Sequence, residues 1–512
     1  LSLEKLELML EQAPLHVASK GSVRLPADGD PVIEAELQWS SLQWPIPAQP
    51  TAALITSPEG RALLAGTADA WTIELAVQLA DGQVPAGEWQ GRGAGNRTAL
   101  QLDYLRGRVL DGEISLAGNL GWNPVPRWNL AISGKHLNPG KWQPELPGQL
   151  TFDFGSEGRV DPQSGLQGSF ALRQLSGELA GRPLALAGNG AITGDAVQLD
   201  RLILTSGDNR FSASGELGGQ RLRMDWALLA PDPGLLLPGS AGSLEANGRV
   251  EGSPSNPRLQ ARLAGHELQY EDRHLHRLAA SLQAGTGAEA PLQLAIELGP
   301  LRQAGQTLLD SARLTAAGTT ADHQLELDLQ AESRQLRGRL EGGLDVAQTS
   351  WRGEVVALGI EDPGFGSWEL ADAATLAVAP GRAELGDTCL QSGPGETSGK
   401  PSGEPAQICA GGEWRTEQGA RAALSLQSFA LARLLPGLTG ELSGDLHGAM
   451  AAGGALTGRG RLGVSPGEMQ VETGNGVQQL AHGGGQLEVT IGPGGLHSTL
   501  EFRPVQDGQI RA

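Results

Sequence analysis

The side chains able to do chemistry in this 512-residue chain are few and scattered. His274-Leu275-His276 puts two imidazoles on one face of a strand, half of a metal site, with Glu271 and Asp272 close by. The plainer reading, a solvated turn and strand edge, is preferred, so no metal ligand is expected. Gly458-Arg459-Gly460-Arg461-Leu462-Gly463 fits G-x-G-x-x-G. A dinucleotide site needs that motif between a strand and a helix, with an acid about 20 residues on, and no helix signal follows it here. Carboxylates occur singly, with no pair marked as acid and base, and no G-x-S-x-G nucleophile element is present. Asn96-Arg97-Thr98 matches a glycosylation sequon, a three-residue pattern that carries little meaning by itself. The expectation is a protein that is not an enzyme, with no catalytic residues, cofactor or metal.

Cys389 and Cys409 are the only cysteines, and they bracket a polar Gly/Ser/Pro-rich segment. Two thiols with no nearby histidine partner (the next downstream is His447) do not make a metal site. They read as a disulfide closing a flexible loop at 388–410, in an oxidising compartment. Such a bridge contributes roughly 3 kcal/mol in the chain-entropy model.

The elements that carry these residues are almost all strands. Ile73, Leu75, Val77 and Leu79 alternate with polar or small residues, as do Leu292, Leu294, Ile296 and Leu298, and Leu325, Leu327 and Leu329. Side chains alternate at period 2 along a strand, so each set lines one face. Glycine, proline or Asp/Asn turn signals end the runs, at Asp81-Gly82, Gly207-Asp208-Asn209 and Gly299-Pro300. Runs recur every 10 to 13 residues, enough for about forty antiparallel strands. A repeated unit punctuates them: Leu146-Pro147-Gly148, Leu237-Pro238-Gly239 and Leu435-Pro436-Gly437, with prolines 91 and then 198 positions apart. Short helices or caps are predicted before each copy, at 139–146, 231–237 and 430–435. The organisation expected is one continuous segment, 1–512, of repeated units with breaks near 147, 238 and 436.

Composition narrows the partners. The 58 acidic residues against 38 basic ones give a net charge of −20, which excludes a nucleic-acid footprint and disfavours an anionic membrane surface. No stretch approaches the 18 apolar residues of a spanning helix. The chain begins at Leu1 rather than methionine, so it is expected to be an excerpt whose anchor lies elsewhere. Alternation by itself says only that one face is hidden, which an ordinary sandwich also achieves. Against a sandwich, no breaks into compact blocks are evident. A forty-stranded barrel would be enormous, and a β-helix needs a filled interior. The other solution is a sheet folded lengthwise into a trough.

Several local patterns carry a resemblance that favours the trough. They are Leu42-Gln43-Trp44-Pro45, His136-Leu137-Asn138-Pro139 with Leu146-Pro147-Gly148, Leu204 through Asn209-Arg210 to Gly215, Val250-Glu251-Gly252-Ser253, Asn256-Pro257-Arg258-Leu259, Leu268-Gln269-Tyr270, Trp351-Arg352-Gly353 and Trp368-Glu369-Leu370. In this order they resemble the central portion of the AsmA-like/TamB family of Gram-negative envelope proteins. The resemblance implies an all-β fold, a long and mostly antiparallel sheet curled into an open groove with few short helices. It implies a periplasmic location, an inner-membrane anchor on an N-terminal segment outside this chain, and a C-terminal domain, also outside it, that meets the outer-membrane barrel TamA. The function implied is shielding phospholipid acyl chains between inner and outer membranes. The alternative is a scaffold for assembling autotransporters and other outer-membrane proteins. The groove lining would then be the eleven residues Ile73, Leu75, Val77, Leu79, Leu292, Leu294, Ile296, Leu298, Leu325, Leu327 and Leu329.

Overall fold

The computed structural model describes residues 2–9, 15–27, 29–44, 55–80, 84–392, 405–473, 476–492, 495–505 and 510–511. Asp81-Gly82, Pro45 and most of the loop between the cysteines lie outside them. Thirty-six strands and three short 3-10 turns make up the secondary structure of the described residues. The chain divides into two units. The first is Leu1–Pro238 with Ser243–Ser255, and the second is Gly239–Gly242 with Asn256–Ala512.

The first unit is an antiparallel meander in which each strand pairs with the strands before and after it in sequence, from Ser2–Met9 to Ser240–Ser253. Tight turns join them. Leu110-Asp111 and Ala180-Gly181 each place two successive residues at positive φ, as a type I′ hairpin turn demands to match the right-handed strand twist. The run from Leu3 to Leu10, ambiguous between helix and strand by composition, is a strand over Ser2–Met9.

The second unit repeats the plan with interruptions. Pro291–Leu298 and Leu301–Gln303 both pair with Arg273–Gly285, so two short strands share one rung. Gly366–Leu370 and Ala374–Ala379 do the same between Ser350–Asp362 and Arg382–Ser392. The sheet curls here. Trp368 stacks on Phe429 with ring centroids 5.8 Å apart, although their strands are three ladder steps apart, about 14 Å across a flat sheet. Trp368, Phe429, Leu431, Leu442 and Leu462 form the buried cluster inside the bend.

The caps expected before each Leu-Pro-Gly copy are 3-10 turns at Pro139–Lys141, Pro233–Leu235 and Leu431–Arg433. In the first two, proline takes an early position where its missing N–H costs nothing. A side-chain oxygen caps each: Asn138 accepts from the Gly140 N–H at 3.0 Å, and Asp232 accepts from the Gly234 N–H at 3.2 Å. Asn138 also accepts from the Gly148 N–H at 3.2 Å, tying the turn to the next strand.

Candidate functional site

Strand register builds the site. In the first unit one rank of side chains runs through Val17, Trp39, Gly60, Val77, Trp89, Gly107, Ile114, Gly134, Phe152, Leu175, Leu186, Leu204, Phe211, Leu228 and Ala246. Each member directly opposes the next on the neighbouring strand, and none is polar. The next rank on the same face runs from Leu37 through Ala62, Leu75, Gly91, Leu105, Leu116, Ile132 and Phe154 to Leu172, and on to Leu202, Ala213 and Trp226. One residue over, on the opposite face, the ladder reads Gln38, Arg61, Ala76, Gln90, Arg106, Ser115, Ser133, Asp153 and Gln174.

The second unit does the same. Ala280, Ile296, Leu314, Leu327, Gly338 and Leu358 form one rank, and Leu282, Leu294, Ala316, Leu325, Leu340, Val355 and Ala374 form another. Ion pairs gather on the other face, among them Arg313 with Glu297 at 3.0 Å and Arg339 with Glu326 at 3.5 Å.

All eleven residues named from the alternation lie on these apolar faces and are half-buried. Ile73 sits between Leu64 and Gly93, Leu75 between Ala62 and Gly91, Val77 between Gly60 and Trp89, and Leu79 opposite Gly87. Leu292 opposes Gly318, while Leu298 lies between Leu278 and Ala312. Leu329 lies between Ala312 and Leu336. Ile73, Leu75, Val77 and Leu79 share the first unit's face, and the other seven share the second's.

Little covers these faces. Among the described residues only thirteen apolar side chains are buried, and the accessible surface is 31,130 Å². A compact monomer of 53.2 kDa exposes about 18,000 Å². The apolar ranks are therefore partly exposed faces rather than a filled core.

Sequence alternation did not single out the aromatic residues, which complete these ranks. Trp39 lies over Gly60, where a Cβ would stand 2.0 Å from the indole, and Trp71 lies over Gly95, where it would stand 2.3 Å away. Trp89 covers Gly107 and Trp128 covers Gly158 in the same way. A ring from one strand fills the gap left by glycine on the next, so the face stays apolar and smooth. The Trp39 Nε1–H donates to Ser57 Oγ at 2.9 Å, and the Trp128 Nε1–H to Ser156 Oγ at 3.0 Å, whereas the Trp89 Nε1–H is buried without a partner. The signal in sequence was tryptophan at the same parity as leucine, opposite a glycine.

The scattered chemistry-bearing residues do not assemble into a reactive centre. His274 and His276 share a face, but their acid is Glu267 rather than Glu271 or Asp272. His274 Nε2 lies 2.6 Å from Glu267 Oε2, and His276 Nδ1 contacts Oε1. Glu267 sits at positive φ in an irregular stretch of its strand, and sequence spacing does not reveal that. Partial loss of hydration raises the Glu267 carboxyl, but the two imidazoles outweigh this and hold it below the usual range. Each of its oxygens is taken by a ring nitrogen, leaving no common point for a cation. Among the described residues no group of three or more His, Cys, Asp or Glu is placed to hold a metal. Gly458–Gly463 falls inside the strand Leu456–Val464, paired on both sides, so its N–H groups cannot cradle a phosphate.

Cys389 and Cys409 form the disulfide. They lie within the strands Arg382–Ser392 and Gln407–Arg415, directly opposite each other, so the bond rivets two adjacent strands. The neighbouring pair Leu390 and Ile408 belongs to the apolar side, which places the disulfide on the other face.

An antiparallel meander with an apolar face in each of its two units defines a β-groove protein. A family model described as TamB, N-terminal domain, matches residues 2–511, and the chain belongs to the TamB family. It is thus a protein of the Gram-negative envelope, from a family of transport and assembly factors that work there with partners. No described helix is long and apolar enough to cross a membrane.

Proposed function

We propose that this chain is a periplasmic segment of a lipid bridge between the inner and outer membranes. The observation that supports it most is the unbroken apolar rank from Val17 to Ala246, repeated in kind in the second unit. Exposing an acyl chain to water costs about 0.8 kcal/mol per CH2, so a phospholipid does not cross an aqueous gap unaided. An apolar face removes most of that cost at every rung while the head group stays in water. Movement needs an even surface, since a deep pocket would hold the lipid. The glycine and tryptophan pairs supply that evenness. No catalytic step or cofactor is involved. An anchor in the inner membrane and an outer-membrane barrel partner, TamA, belong to the same reading.

The test is Leu327→Asp in the full-length protein. Leu327 lies between Leu314 and Gly338 in its rank, so the charge enters the lining. Circular dichroism should be unchanged, while photo-crosslinking to phospholipid and lipid delivery to the outer membrane fall sharply. Full delivery by the variant, in cells lacking other carriers, overturns the proposal. An assembly scaffold for outer-membrane proteins predicts barrel precursors, rather than phospholipid, bound to the purified protein.

A further inference from the structure

We infer that the groove of the first unit has one mouth, and that diacyl phospholipids lie in it with their chains along the strands and their head groups at that mouth. This rests on the lipid reading above.

The two ends of the strands differ. One rim carries the hairpins at 95–99, 161–165 and 218–221. There the apolar-face residues stand open to solvent: Val160 is 42% exposed, Leu166 36% and Leu217 48%. The other rim carries the hairpins at 109–112 and 179–182 and both 3-10 turns of this unit. There the apolar face is closed: Val109 is 4% exposed, Leu137 5% and Ala230 0%. The turns help to close it. The buried Asn209 donates to the Asp232 carbonyl at 2.6 Å and accepts from its N–H at 3.1 Å, fixing the second turn against the rim.

An acyl chain laid parallel to the ranks would see both rims alike. A chain laid along a strand runs from an open end to a closed one, as an amphiphile requires. The dimensions agree. Trp71 to Leu79 gives five apolar positions at two-residue intervals, a band about 27 Å wide. One leaflet of bilayer hydrocarbon is about 15 Å thick, so a tail fits within the band with its glycerol at the open rim. That rim also offers both charge signs to a zwitterionic head. Arg97 sits there between Asp69 at 2.7 Å and Asp30 at 3.3 Å, and Arg159 and Asp161 stand at the end of the strand Gly148–Asp161 on the same rim.

The experiment loads the unmodified full-length protein with phosphatidylethanolamine bearing a diazirine either next to the glycerol or at the end of one chain. After irradiation, labelled peptides are identified by mass spectrometry. The glycerol-proximal probe should label peptides containing Val160, Leu166 and Leu217 severalfold more than those containing Val109, Leu137 and Ala230, and the chain-end probe should reverse the ratio. Equal labelling of both rims by both probes, or the opposite gradient, overturns the orientation while leaving lipid binding intact. No labelling by either probe overturns both the orientation and the lipid reading.

Discussion

At the scale of single residues the lining depends on glycine as much as on leucine. Valine at Gly60 would drive its Cβ into the Trp39 indole, at 2.0 Å in the present geometry. Gly60→Val is expected to cost about 1–3 kcal/mol by overpacking, read by denaturant unfolding and a red-shifted tryptophan emission. The same change at Gly359, where nothing lies within 4 Å of the Cβ position, should be close to neutral. The turns have their own sensitivity. The Asp362 carboxylate accepts from the Phe365 N–H at 2.8 Å and the Gly364 N–H at 2.7 Å, and pairs with Arg334 at 2.7 Å. The Phe365 hydrogen bond foremost, against partial dehydration, and then the Gly364 bond and Arg334 hold it below the usual aspartate range. A carboxyl lowered on folding stabilises the fold above its unfolded pKa of about 3.9 and loses that contribution as pH falls through the folded value. Amide exchange at Gly364 and Phe365, corrected for intrinsic rates, should therefore stay flat from neutral pH to about 4 and rise below it. Asp362→Asn should abolish that acid dependence while keeping the turn, and Asp362→Ala should open the turn at every pH.

At the scale of elements, bulges decide how much could be read ahead of the structure. In the strand Ala70–Leu79 alternation is unbroken, and all four residues chosen from it face the apolar side. In Ala99–Val109, Leu102 and Leu105 share the apolar face although they are three apart, because Asp103 and Tyr104 together oppose Ala117. Strict parity would send Leu105 to the wrong face, and the same shift recurs at Leu172 and Leu175 and at Leu199 and Leu202. The all-β class, the three caps and the cysteine pair were legible because each rests on local spacing. The bulges, the tryptophan–glycine contacts and the Glu267 clamp were not, because each depends on which strand lies opposite. Two deletions test this. Losing Asp103 removes the extra residue and keeps Leu105 inward, so the unfolding temperature should barely change. Losing Glu74 sends Leu75, Val77 and Leu79 to the polar face and should abolish cooperative unfolding in that region. The disulfide acts at the same scale. Replacing Cys389 and Cys409 by serine removes closure of a 20-residue loop, worth about 3 kcal/mol in the entropy model. Exchange at Leu390 and Ile408 should accelerate while distant strands are unaffected.

At the scale of the whole molecule, the proposed lipid path, made of ranks, would work in series. Leu75 and Leu202 occupy one rank of the first unit, many strands apart. Leu75→Asp and Leu202→Asp should each reduce lipid delivery to about the same degree, and the double variant should be little worse than either. Multiplicative losses would mean that each position acts as a separate binding site. The pairing pattern also bears on how such a chain comes into being. Among the described residues no ladder joins strands separated by more than one short hairpin, so contacts are local in spite of the all-β composition, and closing each one costs little loop entropy. Each new strand finds its docking edge already built by a strand no more than one short hairpin earlier. The polypeptide can zip up from its leading end, without waiting for its tail to arrive.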